Sequence, residues 1–152
     1  MEYPGIPQEN VLQWIKDNYV GKKVTDSRSP AGNWLNFTLE SIEEGNAVLL
    51  VEVRHEMTNP YGNIHGGMMS LIIDESIGWA VASLANPNHY TSMSLNIDFL
   101  FSIKNGDSLK AIAKVVREGK RIVNVDCHVY NSEGALLARG TSNLITTSMQ
   151  FV

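Results

Sequence analysis

The sequence predicts an α+β domain in which one long buried helix is wrapped by an antiparallel β-sheet. Three observations carry that expectation. From Met69 onward, Ile72, Ile73, Ser76, Ile77 and Ala80 recur at helical spacing, while Leu71, Gly78 and Ala82 keep the opposite side small and apolar. A helix apolar nearly all round is buried. Met93, Leu95, Ile97, Phe99 and Phe101 alternate with Ser92, Ser94, Asn96 and Asp98, the period-2 pattern of a strand. Turn signals at Glu44-Gly45-Asn46, Asn105-Gly106-Asp107, Gly119-Lys120 and Ser132-Glu133-Gly134 divide the remaining apolar runs into hairpin-like segments.

The elements follow in order. Val11, Leu12, Trp14 and Ile15 suit a short amphipathic helix over about residues 8–20, with Gly21 as its stop. Residues 22–33, which hold Ser27, Ser29, Pro30 and Gly32, read as a loop. Strand-like segments at 34–42 and 47–54 flank the first turn signal. The central helix follows Gly66-Gly67, and Asn86-Pro87-Asn88 breaks the chain after it. The rest reads as a β-meander, with the strand ending at Phe101 turning into 109–118, then 121–130, then 135–147. A sheet with one face on the helix needs its other face solvated or paired with a second subunit.

Composition narrows the function. At 152 residues the chain, 1–152, fits a single domain with enough length to bury a core. A net charge of -4 argues against nucleic acid or an anionic membrane surface as the main partner. No apolar run approaches the length of a membrane span. The single cysteine, Cys127, excludes an internal disulfide, and no charged segment leads into a signal-type apolar run, so a reducing, cytoplasmic compartment is expected.

The chemistry concentrates at Asn59-Pro60-Tyr61-Gly62-Asn63-Ile64-His65-Gly66-Gly67, which runs straight into the apolar helix. The first N–H groups of a helix have no intrahelical partner and sit at the positive end of its dipole. The Gly66-Gly67 entrance is therefore suited to a carbonyl oxygen or oxyanion, with no side chain holding a ligand off the backbone. Asp74 is the anomaly, since a carboxylate within a buried helix loses hydration and persists only if paired or useful. Glu75, one position on, is read as pointing elsewhere, paired or solvated. His55, His89 and His128 do not stand at metal-ligand spacing to His65, so no metal site is expected.

The spacing Asn59-x-x-Gly62-x-x-His65-Gly66-Gly67, with Asp74 nine residues after the histidine, resembles the hotdog-fold thioesterases of the phenylacetic-acid-degradation (PaaI-like) group, over roughly residues 45–148. The resemblance implies an acyl-CoA thioesterase acting without a cofactor, coenzyme A being part of the substrate. It assigns the Gly67 N–H to polarising the thioester carbonyl, and Asp74, reaching in from a partner subunit, to service as general base or nucleophile. His65 and Asn59 would orient thioester and water, and Ser92 would hydrogen-bond near Asp74. Coenzyme A contacts would fall on Gly66, on Phe99, Phe101, Ser102, Ile103 and Lys104, and on Arg117, Gly119, Lys120 and Arg121. Phe101-Ser102-Ile103-Lys104 departs from the small-Pro-Ala pattern usual in the group. A site shared by two chains implies an obligate homodimer, doubled to a tetramer.

Each residue also has a plainer reading. His65 could be a hydrogen-bonded loop residue, Asn59 an Asx turn before Pro60, Gly66-Gly67 a close packing of helix on sheet, and the four basic residues ordinary surface. Met68, Met69, Trp79 and Phe101 are candidates to line an acyl pocket. Two other functions fit the same parts: a hydratase or dehydratase moving a proton with His65 and Asp74, and a non-catalytic acyl-CoA-binding module.

Overall fold

The computed structural model of the chain describes residues 5–148; the outermost residues of the expected 1–152 domain lie outside the described residues. A 3₁₀ turn leads into α1 (Val11–Tyr19), followed by α2 (Pro30–Leu35), β1 (Thr38–Glu43), β2 (Asn46–Glu52), α3 (Gly66–Ala82), β3 (His89–Phe99), β4 (Ser108–Glu118), β5 (Ile122–Asn131) and β6 (Leu136–Thr147). The strands form one antiparallel sheet in the order β1-β2-β4-β5-β6-β3. It wraps α3, the hotdog arrangement.

Small residues let helix and sheet approach closely. Ala47, Ala111, Ala113 and Ala138 are fully buried on the strands, and a Cβ added at Gly140 would stand 2.8 Å from Ile73 Cγ2. The helix supplies Met69, Ile72, Ile73, Ile77 and Ala80 to the same core. At its C-terminal half, Trp79 meets the rings of Tyr19 and Phe37 edge-on at 5.3 and 5.8 Å. Met69 and Trp79 are thus core residues, only 2% and 7% exposed, rather than open pocket walls.

Three sequence expectations are corrected. Residues 30–35 form α2 rather than loop or strand: Ser29 caps it by accepting from Gly32 N–H at 3.0 Å, and Pro30 occupies its first turn, where a missing N–H costs nothing. β1 accordingly starts at Thr38. The chain from β3 to β4 is not a hairpin, because β3 pairs with β6 at the sheet edge and β4 lies between β2 and β5. Only β4-β5-β6 is a meander.

The third correction lies within β3. Ser92 pairs with Leu144 and Ser94 with Asn143, so Met93 is an unpaired bulge and the strict alternation breaks there. Opposed residues share a face, so Ser92, itself exposed, lies on the helix-facing side with Leu144, while Ser94 lies on the other side and its Oγ accepts from Asn143 Nδ2 at 3.0 Å. Such bulges re-aim a side chain.

Candidate active site

The loop before α3 is held by its own hydrogen bonds. Asn59 Oδ1 accepts from Tyr61 N–H at 2.9 Å and Asn63 N–H at 3.2 Å, and Gly62 takes a φ of +76° that favours glycine. The Asx-turn reading of Asn59 therefore describes what its oxygen does. Ile64 N–H donates to the Ile103 carbonyl at 2.8 Å, and His65 N–H to the Met57 carbonyl at 2.8 Å, which fixes the entry into α3.

His65 is the N-cap of α3. Its Nδ1 accepts from the Gly67 N–H at 2.9 Å, and its carbonyl accepts from Met68 and Met69. The amide that the sequence offers to a ligand is therefore already engaged by the chain's own imidazole. A neutral ring accepting at Nδ1 carries its proton on Nε2, so the exposed ring also presents a donor to solvent. For the Gly67 N–H to serve a bound carbonyl, the imidazole must turn off it.

Asp74 is exposed, against the expectation of a desolvated carboxylate; Ser92 Oγ donates to its Oδ1 at 3.2 Å. The Met93 bulge is what brings that hydroxyl to the helix. Oδ2 has no partner among the described residues. Glu75 is the enclosed acid instead: Ser29 Oγ–H donates to its Oε2 at 2.9 Å and Trp79 Nε1–H to its Oε1 at 3.0 Å. Burial first, then the charge of Asp74, pushes its carboxyl above the usual carboxylate range, against the opposing pull of those two hydrogen bonds. Sequence reasoning gave Glu75 no role, because a helix apolar all round does not show which neighbour is covered.

Gly67 and Asp74 lie seven residues apart on one helix, so they share a face but are separated by roughly 10 Å along the axis. One chain cannot bring both to one reacting atom. Beside the helix start, the ring of Phe99 packs at 3.5 Å from where a Gly66 Cβ would stand. Phe99 and Phe101 are 57% and 69% exposed, so the ring beside the helix entrance is also open to solvent.

The basic candidates, Lys104, Arg117, Lys120 and Arg121, are all exposed, as is Ser102. Ile103 is not: it is 4% exposed and packed in the core, leaving no side-chain surface for a ligand. Gly119 is required by packing, since a Cβ there would come within 2.8 Å of the Ile122 carbonyl and 3.1 Å of Arg117 Nη1. Burial pushes the Cys127 thiol up to about 12, which removes it as a nucleophile.

Known proteins resemble this chain over the same region. Residues 61–138, from the turn before the helix into β6, match the thioesterase superfamily. Acyl-coenzyme A thioesterase PaaI of Escherichia coli is 30% identical over 113 residues, 73% of this chain and 79% of that protein. Acyl-coenzyme A thioesterase 13 of Homo sapiens is 27% identical over 104 residues, covering 68% of this chain and 74% of its own. Among solved structures, a hypothetical thioesterase with coenzyme A from Streptococcus pneumoniae TIGR4 superposes with a TM-score of 0.71 at 26% identity, covering 76% of this chain and 88% of that one. The glycine entrance and the acid two turns below it thus sit inside a matched region and fold, and the chain belongs to the thioesterase superfamily as a hotdog protein of the PaaI-like group.

Proposed function

We propose that this protein is an acyl-CoA thioesterase, hydrolysing the thioester to free acid and coenzyme A at sites built by two chains of a homodimer. One observation carries the reading: Gly67 and a Ser92-supported Asp74 face the same way but stand two helical turns apart, so each completes a site only across a two-fold axis. The superfamily membership and the names of the relatives support it.

In this reading the thioester carbonyl takes the Gly67 N–H, displacing the His65 imidazole, and the helix dipole stabilises the charge that develops on oxygen. Asp74 of the partner subunit removes a proton from water while the water oxygen bonds to the carbonyl carbon. Collapse of the intermediate restores the carbonyl and breaks the carbon–sulfur bond, and the thiolate leaves to be protonated. Ser92 holds one carboxylate oxygen and leaves the other for water. His65 and Asn59 line the approach. No cofactor takes part, since coenzyme A arrives as part of the substrate, and Lys104, Arg117, Lys120 and Arg121 would meet its phosphates.

Release of free thiol from a panel of acyl-CoAs tests this reading. Turnover on at least one of them is the expected result. An enoyl thioester consumed without thiol release would indicate a hydratase instead, and binding without reaction an acyl-CoA-binding module.

Two further outcomes are expected. Light scattering at micromolar concentration should give a mass of at least twice 16.8 kDa; a particle of a single chain's mass would contradict a shared site. Lys120→Ala should raise KM for acyl-CoA more than it lowers kcat, with a difference that shrinks as salt rises, because an exposed charge is screened. A short pantetheine thioester, which lacks the nucleotide phosphates, should be hydrolysed by that variant as by the wild type. Impairment on the short substrate would remove Lys120 from its assigned role.

A further inference from the structure

Glu75 is the ionisable group beside the site that the reaction above leaves idle. It is one residue from Asp74, and both of its hydrogen-bond donors, Ser29 Oγ–H and Trp79 Nε1–H, are uncharged. The backbone of α2 closes over it: a Cβ at Gly32 would lie 2.2 Å from its Oε1. The chain thus keeps a second carboxylate beside the first and holds it in place from two elements, where an apolar residue would fill the same space without desolvating a charge.

Asp74 is the charged group acting on Glu75 from α3. The α2 side contributes Ser29 and Gly32, both neutral. Tyr19 of α1 edges onto the Trp79 ring, and Asp26 and Arg28 act on Tyr19. Asp74 itself is met by Ser92 from β3. Asp74 directly precedes Glu75 in α3, and its charge acts on the Glu75 carboxyl.

We propose that Glu75 is a positioning residue of the hydrolysis, acting through Asp74: clamped by Ser29 and Trp79, its charge repels that of Asp74 and thereby favours proton transfer from water to Asp74. This rests on Asp74 as the base. When Asp74 takes the proton, the like-charge repulsion is relieved, and that relief lowers the barrier only while Glu75 is ionised. Activity should therefore show an upper step on the acid side, set by the ionisation of Glu75 and lying above the usual carboxylate range.

The test is the pH profile of kcat/KM on one acyl-CoA. Glu75→Gln keeps both contacts, since the amide oxygen accepts from Trp79 and its nitrogen donates to the Ser29 oxygen. It should abolish the upper step and lower the neutral-pH plateau by roughly three- to tenfold. Ser29→Ala removes a hydrogen bond that favours the charged form, so its upper step should move to higher pH; this variant also serves if Glu75→Gln does not fold. A wild-type profile in Glu75→Gln, or an unmoved upper step in Ser29→Ala, would overturn the proposal. Carbon-13 titration of the Glu75 carboxyl in the Asp74→Asn variant separates it from the reading beneath it. A downward shift there shows the coupling even if Asp74→Asn proves active and the base reading fails, whereas an unshifted Glu75 overturns the coupling itself.

Discussion

Replacing Asp74 by Asn is expected to lower kcat by at least about a hundredfold, the lower end of what a positioned general base supplies, while affinity for acyl-CoA survives. The substitution keeps the shape of the side chain, and the amide oxygen still accepts from Ser92 Oγ–H, so the loss is confined to the proton acceptor. Because Asp74 is exposed on its own chain, the stability of the fold should change little. Steady-state kinetics, with isothermal titration of a product such as coenzyme A as the control on binding, checks both halves. Turnover like that of the wild type would make Asp74 a structural carboxylate and nothing more.

Gly67→Ala should be nearly as damaging for a different reason. The added methyl would stand 3.1 Å from His65 Nδ1 and 3.4 Å from its Cε1, so it presses on the imidazole that caps the helix and fills the space through which the thioester must approach. Its backbone N–H is retained. We expect kcat/KM to fall by about ten- to a hundredfold, less than the full loss of one oxyanion donor. The disturbed cap should cost about 1 kcal/mol of stability, visible as a small drop in Tm. An unimpaired variant would show that the carbonyl does not bind at this helix entrance. The contrast with Lys120→Ala is diagnostic, because the glycine change should harm short and long thioesters alike.

The features that were legible in the sequence are those written in local chemistry. Helix α3 and its start at Gly66 follow from apolar residues at every turn and from the glycine pair, and the β4-β5-β6 meander follows from alternation between turn residues. The helical segment α2 is signalled only by Ser29-Pro30, an N-cap followed by a first-turn proline, and the surrounding cluster of turn formers masks it. The pairing of β3 with β6 could not be read, because an alternating strand carries no record of which edge it joins. The bulge at Met93 was equally hidden, and with it the turn of Ser92 toward Asp74. At the site, the residue types were legible but their environments were not. An all-round apolar helix gives no direction, so it predicts a covered Asp74, which is instead exposed; Glu75 is paired, as one of its two readings has it, but its partners and its cover by α2 are not legible, because 30–35 reads as loop and strand.

The division of one site between two chains can be tested by mixing two defects. Asp74→Asn and Gly67→Val chains, each inactive as a homodimer, are co-expressed with different affinity tags, and the heterodimer is isolated and compared with the wild type. If Gly67 of one chain works with Asp74 of its partner, each heterodimer holds one site with both defects and one with neither, and about half of the wild-type activity per dimer returns. If both groups acted within a single chain, every site would carry a defect. Activity no higher than that of the two parent variants would contradict a site shared across the two-fold axis.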